Sequence, residues 1–250
     1  VNAADVSWLA APALALALAC VTLVPLGAQV LARGVVFIDL AVAQIAACGA
    51  LACALWLEHP PVWATALSAA AAALLGSALV WRLARRSPHQ REALIGLVYV
   101  AGASVAVVGA TWSPHGREQL TALLAADVLW APWSSAAWLG TSAAVVTVLA
   151  VLARRRALLS RDGVFYPVFA LALSVAVPVL GLYLVFALLI GPALWLQRGL
   201  GLAQALLLGG LACAVGLAAS WALDWPSGAC VAMSLCGLGL AASGARRPAS

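Results

Sequence analysis

Long apolar stretches and short polar breaks alternate along the chain. Helical spans are expected near 8–31, 36–57, 62–81, 94–112 and 133–153. The breaks between them are Arg-Gly at 33–34, Glu-His-Pro-Pro at 58–61, RLARRSPHQRE at 82–92, SPHGREQ at 113–119 and the Arg triplet at 154–156. Runs of about 18 or more apolar residues with few charges are what a bilayer-crossing helix needs. Residues 164–197 do not fit a single span. One helix of that length would measure about 51 Å, against a hydrocarbon core of about 30 Å. The stretch also contains Pro178, Gly181 and Pro192, residues that interrupt or kink helices. Two short segments meeting near Gly181, with Pro192 as a further break, are therefore expected. The last spans, near 200–222 and 228–244, are rich in Gly and Ala, which let helix backbones approach closely in lipid. The expected fold class is all-α: a polytopic helical membrane protein of about nine transmembrane segments in one domain over 1–250. Eight segments plus a re-entrant piece is the alternative.

Composition agrees with this pattern. Of 250 residues, 66% are hydrophobic and 8% charged, where soluble domains carry roughly 25% charged residues. The first span, from about Trp8, is too long for the core of a signal peptide and is expected to be retained. Arginine sets the orientation. Arg82, Arg85, Arg86 and Arg91 fall in one break, and Arg154, Arg155, Arg156 and Arg161 in another. Both breaks lie on one side, which the positive-inside rule makes cytosolic. Nine segments add Arg198, Arg246 and Arg247 to that side and leave only Arg117 outside. Trp56, Trp63, Trp112, Trp130, Trp133, Trp221 and Trp225 then fall at the outer ends of spans, where amphipathic rings anchor at the interface. The net charge of +5 is read as this cytosolic excess rather than as a nucleic-acid surface.

Several chemistries are excluded. All thirteen basic residues are Arg, so the chain has no Lys for a Walker A phosphate loop or a Schiff base. The six Cys form no CxxC pair and read as small packing residues. Neither HExxH nor GxSxG occurs, and the three His (His59, His89, His115) all fall in breaks. No cofactor is implied.

An ionisable group inside a span is costly and is a functional candidate by default. Asp39, in GVVFIDLAVAQIAACGA (34–50), is the clear case, with Gln44 as a second polar group. Asp39 either pairs with Arg33 or a neighbouring helix, or lies on a substrate path. Residues five apart on a helix differ by about 140°, so Asp39 and Gln44 cannot share one metal site on a straight helix. On the outer side, His59, His115 and Asp127 are either solvated loop groups or the place where a cation is admitted, since imidazole and carboxylate are zinc ligands.

Four segments in order resemble the membrane permease subunits of the zinc/manganese/iron ATP-binding-cassette importers. They are GVVFIDLAVAQIAACGAL (34–51), REALIGLVYVAG (91–102), LLAADVLWA (123–131), read as an external short helix with a central Asp, and VLGLYLVFALLIGPALWL (179–196) followed by LDWPSGACV (223–231). Two departures stand out. The family's second span usually carries an Asp-x-x-x-His pair on one helix face; here Gln44 matches the His, and Asp39 is displaced by one residue from the Asp. The cytosolic loop after the fifth span is also short, RRRALLSRDGVF at 154–165.

The resemblance implies a bacterial inner-membrane permease for a divalent transition metal, zinc or manganese, with Asp39 and Gln44 on the substrate path. It implies a homodimer in the lipid bilayer, two copies of a separate cytosolic ATPase, and an external metal-binding protein. ATPase coupling falls to Arg155, Leu158, Leu159 and Arg161, or to the 82–92 loop. An ion-gradient-driven secondary transporter is the alternative; such proteins show several intramembrane charges and internal repeats, whereas Asp39 is the one strong intramembrane acid here and no repeat is visible.

Overall fold

The computed structural model describes residues 9–57, 61–112, 116–156 and 161–244, and these form ten α-helices. They are α1 (Ala10–Arg33), α2 (Ile38–Trp56), α3 (Val62–Arg86), α4 (Arg91–Ala110), α5 (Gly116–Leu124), α6 (Trp133–Arg156), α7 (Asp162–Leu180), α8 (Leu182–Gln197), α9 (Leu202–Leu223) and α10 (Ser227–Gly244). Six of them (α1 to α4, α7 and α9) are long and apolar enough to cross a membrane, and α6, α8 and α10 contain shorter apolar helical runs. Helices suit this composition because every backbone bond closes within the segment, as a lipid surrounding requires.

The chain breaks at Gly181. Its φ of +77° is one that a side chain rarely tolerates, and a Cβ there would also sit 2.5 Å from the backbone nitrogen of Ala126. The same residue thus ends α7 and admits the 125–126 loop. Pro192 behaves otherwise: it lies inside α8, which continues to Gln197, so the break expected there does not occur. A helix tolerates an internal Pro when neighbouring helices compensate for the lost bond. Gly209 of α9 leaves room for the ring, since a Cβ at that position would be 3.1 Å from the Pro192 Cγ.

Three further boundaries differ from expectation, one being the Arg triplet at 154–156, which closes α6 rather than following it. Arg82, Arg85 and Arg86 lie within the last turns of α3 rather than in a loop, where basic side chains complement the helix dipole. The outer short helix, α5, precedes Asp127 instead of containing it; Asp127 caps a 3₁₀ turn over Val128–Trp130.

Loop contacts sort the helix ends into two groups. At one end, Arg33 bonds Asp162 and Glu92 accepts from the Val36 N–H, gathering the α1–α2 corner with the starts of α4 and α7. At the other end, the 125–127 loop meets Gly181 and the first turn of α10. α8 runs beside α10 in the same direction, from that end to a bond in which the Trp195 Nε1–H donates to the Leu238 carbonyl (2.9 Å). The core between the ends is apolar, with Phe165, Phe169, Leu23, Leu26, Leu184 and Leu188 fully buried. Trp56, Trp63, Trp112, Trp130, Trp133, Trp221 and Trp225 are all exposed, as interface-anchoring rings should be.

Candidate functional site

α1 ends at Arg33, and Gly34 turns the chain in the left-handed conformation (φ 59°, ψ 47°). Three residues later α2 begins, with the Ile38 N–H bonded to the Val35 carbonyl at 3.1 Å. Asp39 is the second residue of α2 and is only 1% exposed. The N–H groups of Asp39 and Leu40 lie near its carboxylate, and a helix N-terminus favours negative charge. Yet neither carboxylate oxygen closes a hydrogen bond among the described residues. Arg33, one of the partners expected for it, instead bonds Asp162 at 3.2 Å and Gln29 at 2.8 Å. A buried acid without a hydrogen bond is costly, so Asp39 is the outstanding polar group of this end of the molecule.

Above Asp39 lies a small cavity of about 140 Å³. Ala43, Gln44 and Ala47 of α2 form one wall, Tyr99 and Ala103 of α4 another, and Leu120 and Leu124 of α5 and Leu182 of α8 close it. Asp39, Ala43 and Ala47 are spaced by four, each about 40° round the helix from the last, and so form one stripe. Asp39 therefore sits on the stripe that lines the cavity, one turn or about 6 Å along the axis from Ala43. Gln44 is on the adjacent side of α2, and its Cβ packs toward Gly102 of α4. The two polar residues thus point to different sides of α2 and do not share one coordination sphere. Among the described residues no three of His, Cys, Asp and Glu gather into a metal-holding group.

At the other end a wider cavity of about 580 Å³ is lined by Asp127, Asp224, Trp130, Trp221, Trp225 and Ser220. Asp127 accepts from the Ser227 hydroxyl and, at 3.3 Å, from the Leu129 N–H. Asp224, which the sequence did not single out, caps α9 with a left-handed φ of 53°; Asp is among the few residues that accept this conformation. Only folding brings these two acids, 97 positions apart in the chain (127 to 224), into one cavity. His59 and His115 lie outside the described residues.

Of the residues assigned to coupling, Arg155 is in the last turn of α6, Leu158 and Leu159 lie outside the described residues, and Arg161 is exposed and precedes α7.

A bundle of helices this long and apolar defines the class of a polytopic membrane protein. The ABC 3 transport family matches at residues 6–162 and 160–245, and the chain belongs to that family. It is accordingly a multi-pass protein of the bacterial inner membrane. Among solved structures it is similar to PsaBC from Streptococcus pneumoniae in complex with Fab, with 16% identity, a TM-score of 0.72, and coverage of 94% of this chain and 91% of that one. At that identity the likeness shows the fold. No curated protein matches the chain in sequence.

Proposed function

We propose that this chain is the permease subunit of an ATP-driven importer for a divalent transition metal, zinc or manganese. It works as a homodimer on two copies of a separate ATPase and is loaded by an external metal-binding protein. The observation that carries the reading is Asp39: a fully buried acid whose carboxylate closes no hydrogen bond among the described residues, one helical turn from a cavity in the bundle. A metal cargo offers such a group the positive charge that the protein withholds. Cargo passes the Gln44 and Tyr99 level and then Asp39, meeting few ligands at each step, and weak binding at successive sites favours release over retention. The Asp127–Asp224 cavity supplies negative charge between low-dielectric tryptophan walls, an arrangement that concentrates cations. The parallel run of α8 and α10 and the arginine count support nine crossings over eight with a re-entrant piece.

Family membership favours ATP as the energy source over an ion gradient, and because these 250 residues hold no Lys for a phosphate loop, nucleotide binding is assigned to the partner ATPase. Coupling uses Arg155, Leu158, Leu159 and Arg161 in the α6–α7 connection. The test is reconstitution of the chain in proteoliposomes with a candidate ATPase and external metal-binding protein from the same organism. ATP should drive uptake of radiolabelled zinc or manganese. Uptake that ignores ATP and follows an imposed proton or sodium gradient would sink the proposal.

A further inference from the structure

Arg33 is held more completely than an orienting charge requires. Its Nε donates to the Asp162 carboxylate at 3.2 Å. Its Nη1 donates to the Gln29 carbonyl at 3.2 Å and the Gln29 side-chain oxygen at 2.8 Å. Its guanidinium lies 4.1 Å from the centroid of the Phe165 ring, a cation–π contact. Phe165 is fully buried and stacks on Phe169, with centroids 5.3 Å apart. The planar fork of Arg suits such a multiply anchored site, where the point charge of Lys does not.

The two elements that Arg33 joins are distant in sequence. Asp162 is the first residue of α7, directly after the α6–α7 connection. Arg33 is the last residue of α1, six positions before Asp39. The intervening corner is stiff: the Gly34 N–H bonds the Leu31 carbonyl, the Val35 N–H the Val30 carbonyl and the Ile38 N–H the Val35 carbonyl, while the Val36 N–H is held by Glu92 of α4 at 2.7 Å. A displacement of the start of α7 therefore acts on the first turn of α2.

We infer that Arg33 and Asp162 are the positioning pair that couples the α6–α7 connection to Asp39, so that movement imposed by the ATPase reaches the cytosolic end of the metal path. This rests on the importer reading above. The pair touches no cargo; it transmits force between two rigid elements, and coupling of this kind is a free energy that can be removed without dissolving the fold. Asp162 is about half exposed, so the pair's value as a stabiliser is small and its value as a link is open to measurement.

The experiment is a double-mutant cycle on the complete transporter in proteoliposomes, with Asp162→Asn, Arg33→Gln and both together. Three quantities are read for each: ATPase co-purified, ATP hydrolysed, and metal delivered per ATP. The single variants should retain the ATPase and hydrolyse ATP near the wild-type rate. Metal delivered per ATP should fall by roughly ten-fold, an ordinary size for a coupling free energy. The double variant should be no worse than the worse single. A delivery ratio equal to wild type in Asp162→Asn, or losses that multiply in the double variant, would overturn the inference while leaving the importer reading intact. If the wild-type chain binds no ATPase, that reading itself fails and the inference goes with it. Should Arg33→Gln lower the melting temperature, the near-isosteric Asp162→Asn carries the test alone.

Discussion

The hydroxyl of Ser227, the first residue of α10, donates a hydrogen bond to the carboxylate of Asp127, one hundred positions earlier in the chain. The Leu129 N–H is shared between them, 3.3 Å from Asp127 and 3.2 Å from Ser227. This three-way contact fastens the α5–α6 loop to the end of the bundle where α7 gives way to α8. It also aims Asp127 into the wider cavity beside Asp224.

Ser227 is fully buried and its partner Asp127 is exposed, so Ser227→Ala removes a hydrogen bond to a charged acceptor without stranding a buried group. The expected loss is about 1–3 kcal/mol, read as a lower melting temperature in detergent. Faster amide exchange should be confined to residues 125–131 and the first turn of α10. Uniform exchange across the bundle, or an unchanged melting temperature, would mean that the contact contributes nothing local.

Gly181→Val meets two obstacles at once, a backbone at φ +77° and a neighbouring main chain. Strain in such a backbone region alone costs about 1–3 kcal/mol, and the clash adds to it. We expect a severe fall in folded yield, with Gly181→Ala less affected and Pro192→Ala folding normally because α8 already continues through that position. Equal yields from all three would contradict the different roles assigned to these residues.

Asp39→Ala should insert normally, since removing a buried charge eases membrane insertion, and metal uptake should fall by roughly ten-fold or more, the effect of losing about 1.4 kcal/mol or more of differential binding. Asp39→Asn keeps the shape and tests the charge. If Asp39→Asn transports as wild type does, Asp39 is a structural cap on α2 and not part of the path.

For the α6–α7 connection, Leu158→Asp combined with Leu159→Asp should detach the ATPase, because buried apolar anchors dominate interface energy. Arg161→Ala should weaken the complex only slightly, as expected of an exposed rim charge. ATPase co-purifying at wild-type yield with the double variant would move the docking surface to the 82–92 region.

Orientation is checked independently. A reporter fused after Arg247 should read cytosolic and one inserted beside Ser227 external, as nine crossings and the arginine count require. The reverse pair of results would favour eight crossings with a re-entrant piece.

Much of the architecture was legible because membrane helices announce themselves by length and apolarity. The runs at 8–31 and 36–57 correspond to α1 and α2 within two residues at each end. Gly181 was legible because 34 apolar residues cannot cross one bilayer as one straight helix. Pro192 misled because proline chemistry is local while its tolerance is not: the Gly209 backbone of another helix makes the room. The RLARRSPHQRE break misled in the same way, since arginines at a helix terminus read as a loop when only their polarity is weighed.

The sequence by itself determined an all-helical membrane protein, its arginine-rich side, the lack of a phosphate loop, and Asp39 as the buried acid to explain. These follow from solvation, which depends on residue type and run length. Tertiary structure alone decided that Arg33 belongs to Asp162 rather than to Asp39, that Asp39 shares a stripe with a cavity walled by α4, α5 and α8, and that Asp224 stands with Asp127. Such pairings depend on which helices pack together and in what rotation. That is settled by close contact between backbones, and no residue's own chemistry encodes it locally.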